Sequence, residues 1–348
     1  MCAKSSPVGI EVTKDLNTHF RPTSWEEVKG QDSIKEVLKK QITSQQGLSN
    51  AYIFAGRSGV GKTTIARLFF KCLNLATLTP TWDDDSWKGD LLEVNASDTR
   101  GIDEMREVIK LARYVPNGKF RGILLDEAHM LTKPSWDCLL KPIEESQDKT
   151  IWIICTTELE KIPATIRTRC QIFRLNPLRW SDIKIRLDEI TKTSGTTVKE
   201  EDLWSISRAS DNNLRQAIHL YEQYSVSGLL TGIAPKEDGH VFLAALAKND
   251  LKLIWQSFMQ WNTKYDSLDA CLNSLRYELA NVLKVKLGIA ESIPPYHLKV
   301  YQDYATKIET ADLLGMLDQL FELQAKVSGI YDYNSLFLKA LCQYKKVA

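Results

Sequence analysis

The residues best suited to chemistry lie together at Gly56-Arg57-Ser58-Gly59-Val60-Gly61-Lys62-Thr63. This stretch satisfies GxxxxGK[ST], a pattern that serves a loop whose backbone N–H groups converge on phosphate oxygens. Gly56, Gly59 and Gly61 permit the required curvature and close approach. A helix beginning at Lys62 would aim the positive end of its dipole at the same anion. In that setting Lys62 reaches the β- and γ-phosphates and the Thr63 hydroxyl ligates Mg²⁺, with Thr64 counted among the nucleotide-binding residues. The second pair is Asp126-Glu127, directly after the apolar Ile123-Leu124-Leu125. A strand ending in adjacent carboxylates delivers both to the sheet edge where the phosphate loop sits. Asp126 would hold the Mg²⁺ through water, and Glu127 would polarise the attacking water as general base. Taken alone, Asp126-Glu127 reads equally well as a surface pair at a strand end; beside the loop it reads as chemistry. Together the two motifs define an NTPase and leave its type open.

The elements that must position these residues are visible as apolar runs. Ala51–Ala55 leads into the glycine-rich turn, and Lys62–Leu73 follows as a helix. Leu91–Val94, Ile123–Leu125, Ile151–Ile154 and Ile172–Leu175 read as further strands. Helices are expected at Trp25–Gln46, where Val28, Ile34, Val37, Leu38 and Ile42 share helical spacing, at 102–114 and at 134–146, the last opening on Pro134. Near-continuous apolar strands alternating with helices predict a parallel sheet covered on both faces. Beyond Pro177 the strands stop. Residues 178–228 read as a small helical unit, the polar stretch Ser227–Gly239 as a separator, and the remainder as a Leu- and aromatic-rich helical block broken at Pro294-Pro295.

Bulk properties narrow the class. The 348 residues suffice for two or three domains, and 43% hydrophobic with 26% charged residues is an ordinary soluble composition. A net charge of +1 argues against a chain coated in basic residues, so any nucleic-acid contact is expected to be local or shared among subunits. The seven cysteines are scattered without a CxxC pair and His is scarce, so they read as reduced thiols of a cytosolic protein. No signal-peptide pattern opens the sequence, and no apolar run approaches the ~20 residues of a membrane span.

Asp126 to His129 spells DEAH, which raises a helicase. Such helicases carry a second strand–helix domain, whereas everything after Pro177 here reads as helical, so His129 is taken as incidental. The stretches HFRPTSWEEVKGQ, AYIFAGRSGVGKTTIARLF, EVNASDTRGIDEMREV, ILLDEAHMLTKPSWDCLLKPIEE and TTELEKIPATIRTRCQIF resemble the γ/τ motor subunits of bacterial replicative clamp loaders. They are also similar to the small subunits of replication factor C. The resemblance runs in order from about His19 to Leu220; the C-terminal block shares only its helical character. It implies an AAA+ architecture: a P-loop α/β domain with a parallel sheet at 1–176, a helical lid at 177–230, and an all-helical collar at 231–348.

The resemblance also implies roles. Thr168-Arg169-Cys170 stands where the family has Ser-Arg-Cys, so Arg169 would reach a neighbour's γ-phosphate as an arginine finger, neutralising charge on the transferring group. Thr157 matches the polar strand-end position called sensor 1, and Arg215 the lid arginine called sensor 2. Arg21 and Pro22, with Val28 and Gln31, match the segment near the adenine. Duplex DNA would be held by its phosphates, for which Asn95–Ile102 offers an N-cap candidate and a helix start, followed by Arg106, Lys110 and Arg113; a plain solvated helix face accounts for these basic residues equally well. One departure is clear. The four-cysteine zinc module of bacterial γ/τ proteins has no counterpart between Lys71 and Gly89, where Cys72 is alone, so no zinc is expected and a phage-encoded or otherwise divergent version is indicated. Trp82 and Trp87 in that acidic stretch read as lone surface aromatics.

The expected function is that of an Mg²⁺-dependent ATPase, an ATP-driven motor subunit of a sliding-clamp loader acting in the cytoplasm. Its expected partners are other loader subunits in a pentameric spiral, the sliding clamp and primer–template DNA, with no membrane. The rival is a hexameric AAA+ DNA remodeller or branch-migration motor. A subunit that binds no ATP is hard to square with an intact Lys62, Thr63, Asp126 and Glu127.

Overall fold

The computed structural model describes residues 20–80, 85–145, 149–228, 237–262, 268–289 and 295–326, with 293 and 337. It divides into two compact units, Met1–Val226 and Ser227–Ala348. In the first, β1 (Ala51–Ala55), β2 (Leu91–Asn95), β3 (Arg121–Asp126), β4 (Thr150–Thr156) and β5 (Gln171–Arg174) form one five-stranded sheet in the order β2-β3-β4-β1-β5. Every pairing is parallel.

Alternate strand residues feed two separate cores. Tyr52, Phe54, Leu124, Ile151, Ile153 and Cys155 pack with Ile34 and Leu38 of α1 (Asp32–Ser44) and with Ile65, Phe69 and Phe70 of α2 (Lys62–Leu75). Ala51, Ile53, Ile123, Leu125, Trp152 and Ile154 face the other way. They meet Met105 and Val108 of α3 (Ile102–Ala112), Trp136 and Leu139 of α4 (Lys133–Glu144) and Ile166 of the short α5 (Ala164–Arg167). Burial on both faces is why β1 and β4 read as unbroken apolar runs. Gly122 of β3 has no room for a side chain, since a Cβ there would sit 2.5 Å from the Phe70 ring.

Three local expectations are corrected. The first helix begins at Asp32 and not near Trp25, because Gly30 (φ 64°) and Gln31 (φ 58°) turn the chain immediately before it. Trp25 and Val28 are buried from that turn region, and Val37 is 40% exposed, so helical spacing overstated the helix and its apolar face. Trp87 is no surface aromatic: it is buried in a 3-10 turn (Ser86–Asp90), 6.4 Å from the Phe70 ring and beneath the Lys71 ammonium. Trp82 lies outside the described residues. α4 opens with Pro134 in its first turn as expected, capped by the Thr132 hydroxyl, which accepts from the Ser135 N–H.

Residues 180–227 supply α6 (Trp180–Ser194), α7 (Glu200–Ala209) and α8 (Leu214–Ser227). Two devices tie this region to the segment before α1. The Arg186 guanidinium of α6 is buried and donates to the Phe20 carbonyl (2.9 Å), Glu27 (3.1 Å) and Glu189 (2.9 Å). The Gln31 side-chain amide donates to the Asn176 carbonyl (2.6 Å) and accepts from its N–H (3.1 Å).

The second unit contains α9 (Glu237–Ala247), α10 (Leu251–Asn262), α11 (Leu268–Lys286), α12 (Pro295–Lys307) and α13 (Thr310–Lys326). Phe242, Ile254, Phe258, Leu275, Leu279, Tyr301, Leu313 and Leu320 form its core. The Tyr301 hydroxyl donates to Glu278 at 2.7 Å inside that core, which satisfies a carboxylate left almost without water. No helix among the described residues is long and apolar enough to cross a membrane.

Candidate nucleotide-binding site

The sheet order creates the site. β4 lies between β1 and β3, so three neighbouring strands end side by side in the 56–61 loop, Thr156 and Asp126. Clefts at the carboxyl edges of parallel sheets form where such connections diverge. The loop is fixed at its start by the Gly56 N–H, which donates to the Thr156 carbonyl at 3.1 Å. Gly59 and Gly61 adopt φ of 73° and 96°, conformations open to glycine. A Cβ on Gly59 would also fall 1.8 Å from the Asn213 side-chain oxygen, so the loop lies directly against the start of α8.

Lys62, Thr63, Asp126 and Glu127 meet at this edge. The Lys62 ammonium is buried and donates to the Gly56 and Arg57 carbonyls at 3.0 and 3.1 Å. Burial lowers its affinity for the proton, while Glu127, Cys155 and Asp126 pull the other way. The Thr63 hydroxyl donates to Asp126 Oδ2 at 2.8 Å, and Asp126 Oδ1 accepts from the Glu127 N–H at 3.0 Å. Glu127 itself has φ 48°, a left-handed conformation uncommon for a residue with a side chain and one that collects at active sites. A hydroxyl and a carboxylate in contact form an all-oxygen pair suited to Mg²⁺. A desolvated ammonium next to a glycine-lined loop suits a polyphosphate.

Beside the loop runs a cleft lined by Arg21, Pro22, Val28, Gly59, Val60, Gly61, Thr64, Leu214 and Arg215. The structure therefore gathers the early and the late candidates on one wall of space. Arg215 is exposed there, and its charge lies close enough to depress Lys62 further. Phe20, Lys29, Ile65, Leu178 and Ile218 complete the lining and were not singled out by sequence. Ile218 lies three residues after Arg215 and so on the same helical face, a signal that was available. Asn213 was also missed as a functional residue; its side-chain oxygen accepts from the Gln216 N–H at 3.1 Å, an N-cap pattern readable just ahead of Arg215. Gln31 does not line the cleft and instead clamps Asn176.

The remaining candidates lie apart. Thr157 is one residue past the end of β4 and half-buried, whereas the preceding Thr156 is fully buried and its hydroxyl accepts from the Glu158 N–H at 3.0 Å. Arg169 follows α5, and its guanidinium donates to the Thr165 carbonyl (2.8 Å) and pairs with Glu144 (3.1 Å). His129 sits 3.5 Å from Glu127 and 3.6 Å from Glu158. In the stretch considered for DNA, Asn95 caps no helix. Its side chain accepts from the Ser97 N–H and donates to Asp98, closing a turn at the end of β2, while α3 starts at Ile102 with Asp103 and Glu104 in its first turn. Those carboxylates oppose a second anion there, and Arg106 and Lys110 pair with Asp103 and Glu107 on the same helix. Between Lys71 and Gly89 the residues 81–84 lie outside those described.

The profile of the family described as DNA polymerase III, delta subunit, matches residues 30–179. The chain is 34% identical over 226 residues to the DNA polymerase III subunit gamma/tau of Mycoplasma pneumoniae, covering 61% of this chain and 32% of that protein. It is 36% identical over 218 residues to the subunit gamma of Buchnera aphidicola (Schizaphis graminum), 60% of each chain. With the Escherichia coli subunit tau the identity is 32%, over 61% of this chain and 35% of the other. The chain thus matches from about a third to three fifths of the length of these relatives. Among solved structures, the Thermotoga maritima RuvB Holliday junction branch migration motor superposes with a TM-score of 0.50 at 18% identity, over 81% of this chain and 91% of that one. At that identity the likeness is one of fold.

Proposed function

We propose that this chain, which belongs through about 60% of its length to the DNA polymerase III gamma/tau clamp-loader family of AAA+ proteins, is an ATP-hydrolysing motor subunit that helps load a sliding clamp on primer–template DNA. The observation that carries this reading is the contact of Thr63 with Asp126 beside the buried Lys62 and Glu127, at one end of a cleft closed by Arg215.

Each residue has a task that follows from its setting. Arg21, Pro22 and Val28, held by the Arg186 and Gln31 contacts, form an apolar and cationic wall for the nucleoside. The 56–61 loop and Lys62 take the phosphates, and Lys62 is ready for them because burial has stripped it of water. Thr63 and Asp126 would hold Mg²⁺, which when bound screens the charge between the phosphates. Glu127, turned by its left-handed backbone, accepts a proton from the attacking water. Thr157 at the end of β4 and Arg215 from α8 report the γ-phosphate to the rest of the chain. Arg169, exposed at 35% of its side chain, completes the site of an adjoining subunit.

In this scheme residues 1–176 are the ATPase domain, 177–230 a lid whose angle follows the nucleotide through Arg215, and 231–348 a collar joining the subunits of a pentameric spiral. The protein works in the cytoplasm with ATP and Mg²⁺ and without zinc. DNA is held by its phosphates.

The test is ATP turnover by the assembled complex with and without its clamp and primed DNA. Stimulation by both together is expected. A complex that forms a homohexamer and unwinds branched DNA, with turnover indifferent to a clamp, would replace this reading with a branch-migration motor. Mixing Arg169→Ala with Glu127→Gln subunits then tests the reach between neighbours: a mixed complex recovers part of the activity both parents lack only if Arg169 acts in trans.

A further inference from the structure

His129 lies on the short 3-10 turn Ala128–Met130, two residues past Glu127, with only 11% of its side chain exposed. Its Nδ1 is 3.5 Å from Glu127 Oε2 and 3.4 Å from the Thr156 hydroxyl. Its Nε2 is 3.6 Å from Glu158 Oε1. The ring therefore stands between the carboxylate expected to act as base and the corner where β4 ends. That corner is itself well braced. The Thr156 hydroxyl accepts from the Glu158 N–H at 3.0 Å, and Lys161 donates to the Glu158 carboxylate at 2.9 Å. From Glu158 the chain runs without interruption through the 3-10 turn Leu159–Lys161 and α5 to Arg169.

Resting on the ATPase reading above, we propose that His129 is a positioning residue that ties the Glu127 carboxylate to the Thr156–Glu158 corner, and so to the segment that presents Arg169 to the adjoining subunit. The contacts of 3.4–3.6 Å are longer than tight hydrogen bonds. They fit a link that closes when Glu127 swings toward water and relaxes when it does not, since catalytic contacts commonly tighten only in the reacting complex. An imidazole presents a nitrogen on each side of its ring, which an apolar ring of the same size cannot do. Glu127 needs such a partner: its left-handed backbone fixes where the side chain starts but leaves its own carboxylate free to rotate. One consequence is that displacing Arg169 at one interface would be felt at Glu127 in the same subunit through His129, Glu158 and the following segment, across which Arg167 pairs with Glu160.

The experiment compares His129→Phe, His129→Gln and Glu158→Gln in the assembled complex. It reads turnover at saturating ATP, KM for ATP, and nucleotide affinity from a fluorescent ATP analogue. His129→Phe keeps the ring volume and removes both nitrogens; kcat is expected to fall about ten- to a hundredfold with KM and nucleotide affinity within about twofold. His129→Gln, whose amide N–H groups restore donors toward the carboxylates, is expected to recover most of that loss. Glu158→Gln should cost less, about two- to threefold, and adding it to His129→Phe should cost nothing more because the link is already cut. Wild-type kcat in His129→Phe, a parallel loss of nucleotide affinity, no recovery by Gln, or additive losses in the double variant would each overturn the proposal. Glu127→Gln serves as the control on the underlying reading: if it abolishes turnover while His129→Phe does not, the base assignment stands and the His129 proposal falls; if Glu127→Gln turns over normally, the ATPase assignment of Glu127 has failed first.

Discussion

The cleft and the Arg169 segment are built from the same sheet but left in opposite conditions. Around the cleft, the Gly56 and Arg57 carbonyls hold the Lys62 ammonium, the Thr63 hydroxyl and the Glu127 N–H donate to Asp126, and Arg215 closes the space from α8. Past α5, Arg169 is held loosely by Glu144 and one carbonyl, with neither group belonging to the cleft. One region has its proposed nucleotide-binding groups supplied from within a single chain. The other has a cation parked on a surface ion pair, a type of contact worth roughly 0–1 kcal/mol and easily given up for a better anion. On the proposed reading the contrast would let grip and turnover be controlled separately, with grip internal to one chain and turnover dependent on a neighbour.

Several variants would break or sharpen that contrast. Lys62→Ala should lose both nucleotide affinity and turnover, the latter by about a thousandfold or more, as measured by fluorescent-nucleotide titration and phosphate release. Arg169→Ala should lower stimulated turnover by about 10³-fold while leaving nucleotide affinity within about threefold; equal loss of both would erase the distinction between the two regions. Arg215→Ala should fall between them, weakening affinity by about tenfold, a value close to 1.4 kcal/mol, because its charge faces the cleft of its own chain.

The smallest effect concerns stability without nucleotide. The Lys62 proton affinity is reduced by burial, so the folded protein disfavours the ammonium relative to the unfolded chain. That cost is present in full below the folded-state pKa and fades as pH rises from there toward the ordinary lysine value. Lys62→Met should therefore raise the melting temperature at neutral pH. Adding Mg-ATP should reverse the ranking, since only the wild type gains from the ligand. A lower melting temperature for the variant without nucleotide would mean that the two carbonyl contacts outweigh desolvation.

What the sequence made legible divides along the same line. The loop at 56–63 and the pair at 126–127 were readable because each is a local pattern whose spacing alone dictates geometry. The strands were readable too, most plainly β1 and β4, since double-sided burial writes itself as unbroken apolar runs. The cleft was only half readable: Arg21 and Arg215 came from resemblance and Ile218 follows Arg215 on the same helical face, but Leu178 joins them only through packing over a long separation. The start of α1 was misplaced because Gly30 and Gln31 break a spacing that otherwise continues the helix. Trp87 looked exposed within an acidic stretch and is in fact seated against Phe70, a contact that no local pattern encodes. The nearness of His129 to Glu158 was not legible, because Glu158 reaches it only after β3 and β4 have paired.

The strand order has a bearing on how the protein is made. Ala51 pairs with Trp152, 101 residues later, so β1 must wait for that length of chain before its first sheet partner exists, and longer still for β5. At about 5–20 residues per second, that is roughly 5–20 s on the ribosome. Throughout that interval the apolar segment Ala51–Ala55 has no native neighbour strand, which makes it a natural client for whatever shields nascent chains.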